Sequence, residues 1–267
     1  MNKLYYALAG KIRYQPIFER LYGISLEGMN IGTGTDLQFS GEVNVFRLMD
    51  MLPSDEGDLI MFDVGANVGN YTFKFLNEVY QKFQIYCFEP AHETFQALVK
   101  NVADRGNIHV YNFGFGDIDN TVTLYSNEIN SGLASVYLRR LDHFDIQLSK
   151  KQLIELKTID GFCSDQAIEK LHFLKLDVEG NEFNVMKGSE RMIKDSRVDF
   201  IQFEFGGCNI DSRTYFQDFY YLLNPTYRIY RILQDGFRFI EKYNEKQEIF
   251  ITTNYLCVSR KFDELRS

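Results

Sequence analysis

Beyond about residue 55, short apolar runs alternate with longer stretches whose apolar residues recur every three or four positions, the pattern of β-α-β units around a parallel sheet. Leu59-Ile60-Met61-Phe62 predicts a first buried strand, followed by a helix from Asn70 to Tyr80 with Phe73, Leu76 and Tyr80 on one face. Ile85 to Phe88 predicts the second strand, and Glu93 to Asp104 a helix burying Phe95, Leu98 and Val102. Ile108 to Phe113, His172 to Leu176 and Phe200 to Phe203 predict the third, fourth and fifth strands.

Two departures from this alternation bear on architecture. Some sixty residues separate the third and fourth strands, and they contain the alternating run Thr121 to Tyr125 and a second candidate strand, Ile154 to Lys157. A hairpin-like insertion at about 118–158 is expected, placed to cover a site. After a helix at Tyr215 to Leu223, the runs Tyr227 to Leu233 and Ile249 to Val258 predict a closing antiparallel pair with a polar turn region between them. A junction near Gly57 divides an N-terminal helical extension, 1–57, from the main domain, 58–267. In the extension, Leu4 to Leu26 mixes aromatic, aliphatic and basic residues, as does a terminal helix that packs on its own domain or makes peripheral contact with a membrane or partner.

Composition narrows the function classes. With 267 residues, 45% of them hydrophobic, the chain supports one sizeable core. A formal charge of -8 sets the protein's field against a phosphate-tracking surface, so nucleic acid is not an expected partner. Cys87, Cys163, Cys208 and Cys257 are widely spaced, without a Cys-x-x-Cys pair, as expected of reduced, buried thiols. The apolar run Leu4 to Gly10 is short for a membrane span or a signal-peptide core, and a soluble, cytoplasmic protein is expected.

Candidate chemistry centres on Asp63-Val64-Gly65-Ala66-Asn67-Val68-Gly69, where the first strand turns into a helix. Gly65 and Gly69 let backbone approach a ligand closely, as nucleoside sites require. Glu89 ends the second strand 26 residues after Asp63, where a carboxylate accepts the hydroxyls of an adenosine ribose. A nicotinamide dinucleotide fits this loop poorly, because Asn67 and Asn70 stand where its fingerprint needs glycine and Asp63 would repel the pyrophosphate. S-adenosylmethionine carries an ammonium and a sulfonium, which Asp63 favours. A tight strand-helix junction alone explains the glycines but not the two carboxylates. Asp117, after the third strand, is placed to accept from an adenine amino group, or simply to make a turn.

These segments resemble the FkbM family of S-adenosylmethionine-dependent methyltransferases, through Asp63 to Gly69, Phe88-Glu89-Pro90, Asn130 to Ser135, Leu174 to Glu182, and Lys187-Gly188. The resemblance implies a class I methyltransferase (Rossmann-like) α/β sandwich: a seven-stranded, mostly parallel sheet with an antiparallel last strand and helices on both faces. It implies cofactor contacts from Asp63, Gly65, Ala66, Asn67, Gly69 and Glu89, and methyl transfer to a hydroxyl oxygen. Gly28 to Gly32, Ser40-Gly41-Glu42 and Phe205 to Arg213 are similar to members from bacterial surface-glycan loci, which favours a saccharide or nucleotide-sugar acceptor over a small natural product. The alternative outside enzymology is an adenosyl-ligand sensor or an assembly scaffold.

A sugar hydroxyl is a weak acid, so its proton needs a base or a metal as the new bond forms. Asp177 ends the fourth strand, Glu179 lies two residues on, and Glu204 ends the fifth, which puts three candidate catalytic acids at one rim. A divalent ion chelating a sugar diol is the alternative to direct base catalysis and is not the expectation. Glu179 and Glu182 also suit the start of a helix. Among the histidines, His143 in the insertion is the one placed to reach over the site as a base, ranked below Asp177 and Glu204.

Overall fold

The computed structural model describes residues 8–33, 37–52 and 58–262. Eleven strands are found among them: β1 Leu59–Val64, β2 Phe83–Phe88, β3 Ile108–Tyr111, β4 Gly114–Phe115, β5 Asn120–Ser126, β6 Lys150–Lys157, β7 Leu171–Leu176, β8 Val198–Phe205, β9 Tyr227–Leu233, β10 Gly236–Phe239 and β11 Thr253–Ser259. Eight form one sheet in the order β10-β9-β11-β8-β7-β1-β2-β3. The neighbours from β8 through β3 run parallel, and β11 is antiparallel to both β8 and β9.

This is the class I sandwich implied by the resemblance, with one strand more than expected. Within the expected polar turn, Phe237 and Phe239 alternate with Arg238 at the period of a strand, and β10 pairs with β9 as an added edge. Both sheet faces are covered. Phe62, Val64, Phe88, Leu174 and Phe203 pack with Ile159, Val185, Met192 and Phe216 from helices on one side. Met61, Ile85, Phe173 and Phe200 pack with Phe46, Tyr71, Phe75 and Leu98 on the other. Strands buried on both faces explain why the sequence shows continuous apolar runs there rather than alternation.

Two strands run further than the apolar runs suggest, and this moves two acids. β1 extends through Asp63 to Val64, and β8 extends through Glu204 to Phe205. In β1, Asp63 pairs in register with Lys175 of β7. The pleat therefore turns both side chains to the same face.

In the insertion, β5 and β6 pair antiparallel from Asn120↔Leu156 to Ser126↔Lys150, and β4 joins β6 in parallel. Leu124, Ile154 and Leu156 form this small sheet's own apolar cluster, with Ala134 and Val136 of the β5–β6 connection against it. Near the N-terminus, the helix Gln15–Gly28 buries Leu26 and leaves Ile17, Leu21 and Ile24 more than half exposed. The start of the expected Leu4–Leu26 segment lies outside the described residues. Among the described residues, no helix is long and apolar enough to cross a membrane. All four cysteines are free and buried.

Candidate active site

The loop after β1 is built by close approach of two backbones. At Gly65, with φ +83°, a Cβ would lie 1.9 Å from the carbonyl oxygen of Asp177, so a side chain there is excluded by both space and conformation. Gly65 and Ala66 donate their N–H groups to the Phe88 carbonyl, at 3.0 and 3.1 Å. Asn67, at φ +48°, then presents its N–H to Glu89 Oε2 at 3.0 Å, and Ala91 N–H donates to Oε1 at 2.8 Å. Glu89 is thus fixed by two local backbone donors while 6% exposed. Burial pushes its carboxyl up to about 7, against the pull of those donors.

Glu89 lines a cleft of about 720 Å³, open mouth included. The lining combines polar groups of Asn67, Glu89 and Ser131, an apolar flank from the small sheet with Leu124, Ile154 and Leu156, and an aromatic wall from Phe115. Glu89, after β2, and Asp177, Glu179 and Asn181, after β7, form its two ends on either side of the β1 loop, where Gly65 touches Asp177. No lysine or arginine is among the lining residues. A cleft whose ionisable lining residues are all carboxylic acids fits an adenosyl ligand that carries positive charge, and disfavours a pyrophosphate.

At the far end the acids differ in environment. Asp177 follows β7, its N–H donating to the Val64 carbonyl, and its half-exposed carboxylate accepts from Lys175 Nζ at 3.0 Å through Oδ2. Glu179, at φ +51°, is paired with Arg139 of the insertion. Burial, reinforced by Asp177, pushes the Glu179 carboxyl up to about 8 although Arg139 opposes the shift. Glu182 opens the helix Glu182–Lys187 and accepts from the N–H groups of Val178 and Gly180, which closes the Asp177–Gly180 turn. Glu204 stands among these acids without lining the cleft, and burial, with repulsion from Asp177, Glu179 and Glu182, holds its carboxyl well above the usual range.

Several expected residues are placed differently. Asp63 does not face the cleft: it has no exposure, its Oδ2 accepts from Thr72 at 2.7 Å, and its Oδ1 lies 3.7 Å from Lys175 Nζ. The cause is the longer β1, whose pleat directs Asp63 beneath the helix Asn70–Glu78. Ala66 is buried in the core, and Gly69, at φ +94°, caps that helix against Leu98 and Phe73, so both shape the loop rather than line the cleft. Asp117 is paired with Lys187 at 3.1 Å and also lies outside the cleft lining. His143 is exposed beside Phe144 and lines no part of the cleft.

Three further residues enter the site. Ser131 offers its carbonyl to Asn67 Nδ2 at 3.2 Å, and Asn181 donates to the Phe115 carbonyl at 3.0 Å while lining the acid end. Arg139 stands 40 positions from Glu179 and is also 3.9 Å from Asp211. The strap that carries it is tied down again where Ser135 Oγ donates to the Glu179 carbonyl at 2.7 Å. Spacing gives no sign of Arg139; only its charge within a site-covering insertion points to it.

A family model described as the methyltransferase FkbM domain matches residues 63–239, well over half the chain. The hexuronic acid methyltransferase AglP of Haloferax volcanii is 25% identical over 170 residues, 62% of this chain and 64% of that protein. The 2-O-methyltransferase NoeI of Sinorhizobium fredii is 19% identical over 158 residues, 56% of this chain and 65% of that protein. The chain therefore spans just under two thirds of the length of these curated relatives. Among solved structures, the methyltransferase FkbM from Methylobacillus flagellatus is 21% identical with a TM-score of 0.46, covering 74% of this chain and 43% of that one.

Proposed function

The chain belongs to the FkbM methyltransferase family, and we propose that it transfers a methyl group from S-adenosylmethionine to a hydroxyl oxygen of a saccharide or nucleotide sugar. One observation carries the reading: a single cleft, free of lysine and arginine, holds the backbone-fixed Glu89 at one end and the accessible Asp177 at the other. Glu89 has lone pairs left for ribose hydroxyls, and Phe115 and Leu156 offer flat and apolar surface for an adenine. When bound, S-adenosylmethionine supplies an electrophilic methyl carbon whose bond to sulfur breaks as the new bond to oxygen forms.

Asp177 is the base in this reading. It is the most accessible of the rim acids, and it accepts the hydroxyl proton as the oxygen attacks. Glu204, whose carboxyl is held well above the usual range by burial and by Asp177, Glu179 and Glu182, stands behind the rim as a neighbour of the base and does not line the cleft. Glu179, with its Arg139 partner, shapes the acceptor side. The names of the two relatives, a hexuronic acid methyltransferase and a 2-O-methyltransferase, support a sugar hydroxyl as the target. The setting we propose is bacterial surface-glycan assembly, on the resemblance of Ser40-Gly41-Glu42 and Phe205 to Arg213 to members from such loci.

Thermal shift with S-adenosylmethionine, S-adenosylhomocysteine and NAD tests the donor, and labelled donor with a panel of UDP- and GDP-sugars and glycans tests the acceptor. Stabilisation by the two adenosyl ligands and not by NAD is expected. Stabilisation by NAD alone would overturn the reading.

A further inference from the structure

A lysine in the middle of a buried parallel sheet is costly unless its charge is matched. Lys175 sits in β7 between β1 and β8, and its side chain is 6% exposed. Its Nζ lies 4.5 Å over the ring of Tyr71, 3.7 Å from Asp63 Oδ1 and 3.0 Å from Asp177 Oδ2. A third carboxylate, Glu42, acts on it electrostatically from the N-terminal extension. Burial works against the ammonium, and Asp177, Asp63 and Glu42 together outweigh it, so its pKa is raised.

The surroundings hold this arrangement in place. Glu42 accepts from Ser40 Oγ at 2.8 Å and from Gln202 Nε2 at 2.5 Å, and Gln202 Oε1 accepts from the Tyr71 hydroxyl at 2.8 Å. The N-terminal extension, β8 and the helix Asn70–Glu78 thereby fix the ring under the ammonium. Asp63 alone would neutralise the lysine, yet its Oδ1 receives no hydrogen bond. The donated bond goes instead to Asp177, the carboxylate that lines the cleft.

We infer that Lys175 is a positioning residue for methyl transfer: from beneath the cleft it grips Oδ2 of Asp177 and so aims Oδ1 at the acceptor hydroxyl. This rests on the reading of Asp177 as the base. Lys175 itself does not line the cleft.

The test compares Lys175→Met and Lys175→Arg, each also in an Asp63→Asn background so that loss of the ammonium does not leave Asp63 as a buried, unmatched charge. Crystal structures of the Met variants with S-adenosylhomocysteine should show the Asp177 carboxylate rotated away from its wild-type position, and those of the Arg variants should show it held. On whichever UDP- or GDP-sugar the wild type methylates, Lys175→Met should lower kcat by about 10- to 100-fold relative to its own background. Affinity for S-adenosylhomocysteine should stay within about threefold, and the arginine should restore much of the rate. An Asp177 carboxylate that keeps its place in the Met variants overturns the inference, as does a loss of donor affinity equal to the loss of rate. If the wild type methylates none of the sugars, the acceptor reading fails, and the position of Asp177 still decides the role of Lys175.

Discussion

The two ends of the cleft hold carboxylates by different means. At the donor end, Glu89 is fixed by N–H groups of Asn67 and Ala91, both backbone and both close to it in the local fold. At the acceptor end, Asp177 and Glu179 are held by side-chain cations, Lys175 from two residues back in β7 and Arg139 from the insertion. No side chain supplies the donors that hold Glu89, whereas a side-chain cation can be replaced, lengthened or withdrawn. Under the proposed function, the end that takes the methyl donor is therefore held by the main chain, and the end that takes the acceptor by exchangeable side chains.

Substitutions can break this contrast at either end. The largest effect is expected for Gly65→Val, since even a Cβ would meet the Asp177 carbonyl at 1.9 Å. Because that contact joins the two ends, the variant should lose donor binding and turnover together, seen as no calorimetric signal with S-adenosylhomocysteine. Asp177→Asn should lower kcat by about 10²–10⁴-fold, the range of a lost general base, with donor affinity nearly unchanged. Near-native turnover in that variant would move the base away from Asp177.

Glu89→Gln should do the reverse. It weakens S-adenosylmethionine binding by roughly 10- to 150-fold, the loss of a hydrogen bond to a charged group, and leaves kcat at saturation less affected. The smallest effect is one of pH. Burial holds the Glu89 carboxyl at about 7 in the free protein, and ribose hydroxyls donate better to the ionised form. Donor affinity should therefore rise about tenfold from pH 6 to pH 8, and Glu89→Gln should flatten that rise. A rise that persists in the glutamine variant would assign the titration to another group.

The same contrast explains what could be read in advance. Glu89 and Gly65 were legible because their partners are backbone groups that follow from a strand, a turn and a strand. Asp63 belongs to the same motif, but its direction depends on where β1 ends, and an apolar run that stops at Phe62 does not carry that information. The pleat then delivers it to Lys175 rather than to the cleft. Glu204 shows the same limit, since β8 runs on to Phe205. Arg139 was not legible, because its meaning depends on a strap folding back over a rim 40 positions away. The other strands of the main sheet were legible from the alternation, and their mostly parallel arrangement with an antiparallel last strand from the resemblance; β10 was not, being short and set within a polar turn.

The place of β11 between β8 and β9 has a consequence for how the chain reaches this state. It is the latest of the described strands in sequence, yet it occupies an inner position, antiparallel to both neighbours. Until it inserts, β8 and β9 both present open edges of unpaired backbone groups, and the β9–β10 hairpin has no sheet to join. In the folded sheet β11 is therefore the piece that joins two sides lying earlier in sequence, and pairing between segments far apart in sequence is slow. A chain cut short near residue 250 would be a sticky half-sheet that recruits copies of itself, rather than a smaller working enzyme.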